Sequence, residues 1–387
     1  MHRLRVTLFR DLPSEGWRSM EVYADQLVAA LRSLGCEVST YAPAAPRPSG
    51  RANVPTTYFW RTLVYPLAAR RRQGEVNHII DHSYGHLVNR LDWRRTVVTC
   101  HDIAPLVRPD RPSGFGLSLR LWRYAYRGML RAGHIIAASE HTRRDLLRCC
   151  PYPPSRVTVV HHGVDHQSFY PRSEVEQAIA RSTYGLPDGR VILHVGHCGQ
   201  RKNLETLLQA FAALDRRRLA ATLVQCGGQF TPAQRGLIAR LQIGPWVRQI
   251  PFVAAQHLPA LYSLAHALIL PSWYEGFGLP ALEAMACGTP VVAANTSALP
   301  EVVADAGLLV DPADTAGLAN AIQRLLVDSS LRADLRARGI ARAKHFSWER
   351  CARETLAVYA EVQSAPGDLS GPIPLRTDGD GTKDSVR

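Results

Sequence analysis

The chain has 387 residues, 46% of them hydrophobic, which is enough for two or three domains with separate cores. Basic residues exceed acidic ones by 13 overall, and residues 1–170 contain 24 arginines, no lysine and 13 acidic residues. No run of 18 apolar residues and no charged-then-apolar leader is present, so we expect neither a membrane span nor a signal peptide. We expect a cytoplasmic protein that is at most peripheral to the inner face of the cell membrane.

The eight cysteines form no CxxC pair and no zinc-ligand spacing, and several lie in apolar stretches. This pattern favours buried free thiols in a reducing compartment over disulfides. No helix-turn-helix, RNP or zinc-finger pattern is present, so nucleic acid is not an expected partner.

Short apolar runs alternate with amphipathic stretches, which is typical of doubly wound α/β domains. A loop is predicted over residues 11–20, followed by a helix from Val22 to Gly35. Strands are predicted in a first set at residues 4–9, 78–81, 96–100, 134–139 and 157–162, and in a second set at 191–196, 221–227, 247–253, 267–272 and 290–295. The two sets predict two Rossmann-like domains that face a central cleft.

A hinge is predicted near residues 165–188, where Pro171 and the stretch GLPDG interrupt the pattern. The predicted domains are residues 1–170 and 171–347, with a last helix at 348–363 crossing back to the first domain. The tail over 364–387 is polar and rich in glycine, so we expect it to be disordered. Its Asp378-Gly379-Asp380 lies in this low-complexity setting and is not interpreted as a metal site.

Two groups of arginines stand out in the first domain: Arg70 to Arg72, and a series at helical spacing that also borders Leu121, Trp122 and Tyr126. A basic amphipathic face attracts anionic lipid head groups, although a solvated face explains the spacing equally well. The series consists of Arg120, Arg123, Arg127 and Arg131.

Polar residues follow predicted strand ends, where open α/β sheets bind their ligands. His101 follows the strand TVVTC, and Ser139 is a predicted helix N-cap in ASEHTRRDL. In VGHCGQRKNLETLLQAF, a strand ends near Gly196, and Arg201 and Lys202 open a predicted helix. Glycines permit close backbone approach, and the two cations at a helix start supply donors for an anion.

The segment EGFGLPALEAMACGTPVV places Glu275 on a glycine-bearing loop and Glu283 in the first turn of a short helix. Pro280 suits the first helical position, and Gly288 suits the left-handed residue after the end. A carboxylate pair of this kind can bind the vicinal hydroxyls of one group and a second polar centre.

This segment resembles the signature of the retaining, nucleotide-sugar-dependent glycosyltransferases of group 1 and family 4, and the resemblance covers most of the chain. It implies the two-domain GT-B fold. It also implies that Glu283 binds the ribose hydroxyls, that Glu275 and His101 lie at the donor sugar, and that Arg201 and Lys202 neutralise the diphosphate. The loop backbone would contact the sugar and the diphosphate at Gly276, Phe277, Gly278 and Leu279, with Gly196 nearby.

Two positions depart from the family pattern. The first loop, SEGWRSM, has the single Gly16 where the family often has paired glycines near the donor phosphate and the acceptor. Ala254 replaces a usual glycine, although the Val253 backbone can still bond the base. The base and the sugar of the donor therefore stay open between GDP-mannose, UDP-glucose and others.

The resemblance implies a hexosyltransferase that needs no metal or other cofactor and that uses a glycan or lipid-linked acceptor. A sugar phosphorylase with pyridoxal phosphate needs a Schiff-base lysine, and the only lysines are Lys202, Lys344 and Lys383. A nucleotide-sugar epimerase and a catalytically silent nucleotide-sugar-binding protein remain as alternatives.

Overall fold

The computed structural model describes residues 3–44, 54–107 and 116–364. Two six-stranded parallel sheets form its centre, one from each half of the chain. The order of the first is β2-β1-β3-β4-β5-β6, and its strands are β1 (Arg5–Phe9), β2 (Glu37–Tyr41), β3 (Val76–Ile79), β4 (Thr96–Cys100), β5 (His134–Ala137) and β6 (Val157–Val159). The order of the second is β12-β11-β10-β7-β8-β9, and its strands are β7 (Arg190–Val195), β8 (Ala221–Cys226), β9 (Val247–Ile250), β10 (Ala267–Leu270), β11 (Val291–Ala294) and β12 (Leu308–Val310).

Helices cover both faces of each sheet, as apolar strands that are buried on both sides require. Those of the first half are α1 (Arg18–Ser33), α2 (Val54–Phe59), α3 (Tyr65–Ala69), α4 (Ala104–Val107), α5 (Gly116–Met129) and α6 (Glu140–Cys149). The remaining ones are α7 (Glu174–Thr183), α8 (Leu204–Ala212), α9 (Pro232–Arg240), α10 (Leu258–Leu264), α11 (Leu279–Ala286), α12 (Leu299–Val303), α13 (Thr315–Val327), α14 (Ser329–Ala343) and α15 (Trp348–Ser364). The prediction of two doubly wound α/β units is confirmed.

Alternate residues of a strand enter different cores. On β1, Leu8 joins the core that contains α1, whereas Phe9 joins the core on the other face of the sheet. The last helix, α15, belongs to the first sheet, because Tyr359 is buried beside α1 and its hydroxyl bonds His78 Nδ1 at 2.7 Å. The predicted domain boundaries themselves stay predictions.

Several predicted elements begin or end elsewhere. Helix α1 starts at Arg18, after a 3-10 turn at Pro13–Glu15, so the predicted loop over 11–20 is too long. Arg131 lies beyond the end of α5, so the prediction of one helix face for all four arginines of the series is wrong. Ser139 caps α6 as predicted, accepting from the Thr142 N–H at 3.0 Å. The predicted disordered tail and Asp378 to Asp380 lie outside the described residues from position 365 onward.

All eight cysteines are free, and six of them are buried. In the part of the chain that the structure describes, no helix is both long and apolar enough to cross a bilayer.

Candidate active site

The strand order of the second sheet creates a crevice between β7 and β10. These strands are neighbours, but the chain continues from β7 towards β8 on one side and from β10 towards β11 on the other. The loops that follow them therefore diverge, and open α/β sheets bind ligands at such a switch point. Lys202 follows β7 and Glu275 follows β10, so the fold places both beside the crevice.

Lys202 and Glu275 form a buried ion pair, with 2.6 Å between Nζ and Oε1. Ser272 donates its hydroxyl to the same Oε1 at 2.7 Å, and the Glu275 N–H bonds Ser297 Oγ at 2.9 Å. Burial by itself raises the pKa of Glu275, but the charges of Lys202 and Arg201 and the hydrogen bonds that Lys202 and Ser272 donate lower it to about 2. Glu275 is therefore a fixed carboxylate at neutral pH.

Gly196 makes room for the Lys202 side chain. Its φ is 147°, and a Cβ at this position would lie 3.2 Å from Lys202 Cε. Arg201 and Lys202 lie in a 3-10 turn, and α8 begins only after Asn203, which has the left-handed conformation. The prediction that Arg201 and Lys202 are the first residues of α8 is therefore wrong, because they lie in the 3-10 turn that precedes this helix.

Arg201 connects the two halves of the molecule. Its NH1 lies 3.0 Å from Asp102 Oδ2, in the loop after β4 of the first sheet. The guanidinium has further N–H donors, so it can hold Asp102 and still offer donors to a ligand. His101 was predicted as a site residue and Asp102 was not, although the two are neighbours directly after the predicted strand TVVTC.

His101 lies at the predicted strand end, but both of its ring nitrogens have partners. Nε2 lies 2.7 Å from the Ile80 carbonyl oxygen and Nδ1 lies 3.0 Å from His162 Nε2. Because a carbonyl only accepts, His101 Nε2 carries the proton and Nδ1 accepts from His162. Burial lowers the pKa of His101, which keeps the ring neutral. A contact between this ring and a donor sugar stays a prediction.

The loop before α11 brings the second half against the first. Gly276 lies directly against the His101 carbonyl, and its own carbonyl is 3.4 Å from Thr142 Oγ1. Gly278 has φ 103° and precedes Leu279, the first residue of α11. The Phe277 ring is buried among core rings, so only the backbone of Phe277 can face a ligand.

Glu283 is the fifth residue of α11, so the prediction that it lies in the first turn is wrong; Pro280 is the second residue. Gly288 has φ 75° just past the helix, as predicted. Tyr262 donates its hydroxyl to Glu283 Oε2 at 2.7 Å. Burial raises the pKa of Glu283 to about 7, against the opposing effects of Tyr262 and Arg18.

Arg18, which no sequence motif indicated, interacts with two residues that were predicted to bind the nucleotide-sugar donor, Val253 and Glu283. Its NH1 lies 3.4 Å from the Val253 carbonyl oxygen, and its charge acts on Glu283. Gly16 lies two residues before Arg18, with φ 65°, in the exposed loop after β1. Nothing in the sequence pattern distinguished Arg18 from the other arginines of the first half.

A cofactor or metal would need a cluster of ligating side chains. Among residues 3–44, 54–107 and 116–364, no three His, Cys, Asp or Glu residues are grouped so that they could hold a metal ion.

Comparisons with known proteins agree with this arrangement. The family model for glycosyl transferases group 1 matches residues 177–342, and that for glycosyltransferase family 4 matches residues 20–168. The O-antigen chain mannosyltransferase B of Escherichia coli is 36% identical over 71% of this chain and 72% of its own length. The alpha-maltose-1-phosphate synthase of Mycolicibacterium smegmatis is 30% identical over 93% of this chain and 100% of its own.

The fold is similar to that of the sucrose-phosphate synthase from Thermosynechococcus elongatus, with a TM-score of 0.76 and 25% identity over 93% of this chain and 99% of that one. The two doubly wound units, the crevice residues and these relatives lead to one conclusion. The chain belongs to the group 1, family 4 glycosyltransferases of the GT-B fold and is an enzyme of the hexosyltransferase class.

Proposed function

We propose that this enzyme moves a hexosyl unit, with retention of anomeric configuration and without a metal, from a nucleoside diphosphate sugar to a glycan or lipid-linked acceptor. GDP-mannose and UDP-hexoses are the candidate donors. The Lys202–Glu275 pair at the switch point carries this proposal, because it places a cation and a fixed carboxylate side by side. The mannosyltransferase relative supports a mannosyl donor and a polysaccharide product.

The proposed role of the two cations, Arg201 and Lys202, is to stabilise the departing diphosphate. Breaking the bond between sugar and diphosphate builds negative charge on the phosphate oxygen, which donors already aimed at it stabilise with little reorganisation. Arg201 and Lys202 are the proposed donors, with Gly196 and Gly16 allowing the phosphates to approach the backbone. The amides from Gly276 to Leu279 would bind the diphosphate and the sugar.

The proposed role of the Glu275 carboxylate is to stabilise positive charge on the donor sugar. Positive charge develops at the anomeric carbon, and Glu275 remains ionised because its pKa is held near 2. The same low pKa makes Glu275 a poor base. We therefore assign the proton of the acceptor hydroxyl to the departing phosphate oxygen, as the acceptor attacks from the leaving-group face and the new C–O bond forms there.

Transfer assays test this function. The enzyme is incubated with GDP-mannose, UDP-glucose or UDP-galactose and manno-oligosaccharide acceptors, with and without EDTA, and the product anomer is determined by NMR. We expect one donor to give a product with the donor's own anomeric configuration at an unchanged rate in EDTA. An inverted product or full loss of activity in EDTA contradicts the proposal. An epimerised donor in the absence of acceptor would identify an epimerase instead.

Donor affinity should depend on pH through Glu283. Its carboxylate form accepts hydrogen bonds from two vicinal ribose hydroxyls, whereas the protonated form cannot accept both as strongly. With a pKa of about 7, the KM for the donor should fall about five- to tenfold between pH 6 and pH 8. Glu283→Gln should raise this KM and flatten the profile, whereas the exposed Glu349→Gln should change neither. A flat wild-type profile would contradict the assignment.

Donor affinity should rise with pH, whereas the contribution of Glu283 to the stability of the fold should fall with pH. The pKa of Glu283 is higher in the folded chain than its usual value of 4.5, so the unfolded chain binds fewer protons between these values. The contribution of Glu283 to the free energy of unfolding is therefore largest below about pH 4.5 and is lost as the pH rises through 7. Denaturant titrations of the wild type and Glu283→Gln at pH 5 and pH 8 measure this difference.

We further propose that the first half docks on an anionic membrane surface. Phe59, Leu63 and Leu67 follow one another at four-residue intervals along α2, the π-helical turn Trp60–Val64 and α3, and each is more than half exposed. The exposed Arg70 to Arg72 follow directly. Apolar side chains next to a basic cluster suit the boundary between head groups and acyl chains.

Vesicle sedimentation checks this surface. Replacing Arg70 to Arg72 with glutamine should weaken binding to phosphatidylglycerol vesicles about a hundredfold, at about 1 kcal/mol per charge. Leu63→Gln with Leu67→Gln should also weaken it, whereas the exposed Val327→Gln on α13 is the matched control. Equal binding to phosphatidylcholine and phosphatidylglycerol, or no binding to either, would reject the proposal.

A further inference from the structure

The first sheet has its own switch point, between β1 and β3. The strand order places β1 between β2 and β3, so the chain leaves β1 towards one edge and β3 towards the other. Asp11 follows the end of β1 by two residues, and Asp81 follows the end of β3 by two residues. The two carboxyl groups therefore meet at the edge of the sheet where α/β folds bind ligands.

Several buried polar atoms at this edge are incompletely hydrogen-bonded. Asp11 is 8% exposed, its hydrogen-bonding neighbour is the Asp81 carboxyl, and no N–H or hydroxyl group of the described residues donates to either of its oxygens. The same holds for Glu15 Oε2 and His82 Nε2. Buried polar groups are rarely left without partners, because their desolvation is then uncompensated. These atoms therefore indicate a site that a ligand completes.

The surrounding groups are already engaged. Asp81 accepts from the Ser83 N–H at 2.8 Å and from its hydroxyl at 2.7 Å. Arg61 lies 3.0 Å from Glu15 Oε1 and donates to the Ser83 carbonyl at 2.6 Å. Arg61 is thus held by protein acceptors, while the unpaired atoms belong mainly to carboxyl groups.

The chemistry of the unpaired atoms selects the ligand. The negative charges of Asp81 and Glu15 face the one positive charge of Arg61, so a phosphate is a poor occupant. Sugar hydroxyls both donate and accept, which suits carboxyl oxygens and an imidazole nitrogen. Burial, then the charges of Asp81 and Glu15 and a hydrogen bond with the Asp81 carboxyl, raise the pKa of Asp11 to about 9, so Asp11 holds a proton that it shares with Asp81 and can accept from a hydroxyl.

The site adjoins the residues proposed for chemistry. His82 Nδ1 lies 3.4 Å from the His101 backbone N–H, and His101 precedes Asp102, which holds Arg201 at 3.0 Å. A pocket on the other side contains Arg61 and Ser83, and aromatic rings line it at Tyr58, Trp122 and Tyr124. Aromatic rings offer apolar faces on which a further sugar ring can stack.

We propose that Asp11, Glu15 and His82 bind the hydroxyls of the terminal sugar of a neutral acceptor glycan, and that the pocket beside Trp122 holds the next sugar. This inference rests on the proposed glycosyl transfer. It makes the three side chains specificity-determining residues for the acceptor. It also predicts that the enzyme prefers an uncharged acceptor to a phosphorylated one.

Steady-state kinetics with mannobiose, mannotriose and mannose 6-phosphate as acceptors test the inference, with donor binding measured on the same proteins by thermal shift. Glu15→Gln should raise the acceptor KM about 10- to 100-fold, the loss expected for a hydrogen bond to a carboxylate, and Asp11→Ala, which removes a neutral hydrogen-bonding group, should raise it about 3- to 10-fold. The donor-induced shift in Tm should stay as in the wild type. The exposed Glu37→Gln, at the amino end of β2, should alter neither.

Unchanged acceptor KM values in both variants would overturn the inference, as would a wild-type preference for mannose 6-phosphate over mannobiose. Glu15 is less buried than Asp11, so Glu15→Gln keeps the test valid if Asp11→Ala does not fold. Failure of the proposed function is distinguishable, because it would remove the donor-induced Tm shift and transfer from the wild type itself.

Discussion

Arg201→Ala and Lys202→Ala are each expected to lower kcat by about 10²–10³, which corresponds to about 3–4 kcal/mol of transition-state stabilisation. Each change removes donors from the developing charge on the departing diphosphate. Arg201→Ala is the cleaner variant, because its ion pair with Asp102 is partly exposed and contributes little to stability. Single-turnover rates at saturating donor measure the effect on the chemical step.

Lys202→Ala should also destabilise the fold. Glu275 and Lys202 are both buried, and removing one member of a buried ion pair typically costs about 3–5 kcal/mol. The double variant Lys202→Met with Glu275→Gln removes both charges, so its stability should recover while its activity does not. Full turnover by Arg201→Ala and Lys202→Ala would contradict the assigned role of both cations.

The ion pair also predicts the acid limit of stability. The pKa of Glu275 is depressed to about 2 in the folded chain, so its stabilising contribution is complete above the usual value of 4.5. It is lost as the pH falls from 4.5 through 2, because the unfolded chain takes up the proton first. The double variant should show a smaller loss of stability over this range than the wild type does.

The sequence predicted ten of the twelve strands, and the two that it missed have a common cause. Strand β2 (EVSTY) and β12 (LLV) lie at the edges of their sheets and are only partly buried. Edge strands mix polar with apolar residues or are very short, so they lack the continuous apolar run of a central parallel strand. The central strand β4 was predicted to the residue, and the other central strands were predicted to within a few residues.

Sequence motifs pointed to individual residues of the candidate site but not to the contacts between them. Motifs in the sequence identified Lys202 and Glu275, yet their ion pair joins residues 73 positions apart and depends on the strand order. The Arg201–Asp102 pair and the reach of Arg18 to Val253 cross between the two halves. Local patterns carry no information on how two separately folded sheets meet, so these contacts could not be predicted.

The unpaired atoms of Asp11 and Glu15 were equally invisible in the sequence. An acidic residue after a strand is common, and only burial distinguishes one without a partner from one in water. Glu283 illustrates a smaller error. Its helix starts at Leu279, directly after the left-handed Gly278, so Glu283 lies one residue further from the helix start than predicted.

Gly276→Ala is expected to lower kcat/KM at least a hundredfold while leaving each half folded. A Cβ at this position would overlap the His101 carbonyl oxygen and lie 2.9 Å from Asp102 Cβ, both in the first half. The His101 carbonyl follows directly on β4 and cannot move aside as a flexible side chain can. The added methyl group must therefore push the two halves of the molecule apart. A displacement of about 1 Å at reacting groups can cost about 10² in rate.

The loss should follow from geometry and not from unfolding. The hydrophobic cores on the two sheets do not include Gly276, so Tm should change little, while small-angle scattering should detect a more open molecule. Gly236→Ala in α9 is the matched control, because its Cβ would meet only Arg240 NH1 at an ordinary 3.5 Å. Wild-type activity in Gly276→Ala would contradict this prediction. It would mean that catalysis does not require the close contact between Gly276 and His101 and proceeds with the two halves further apart.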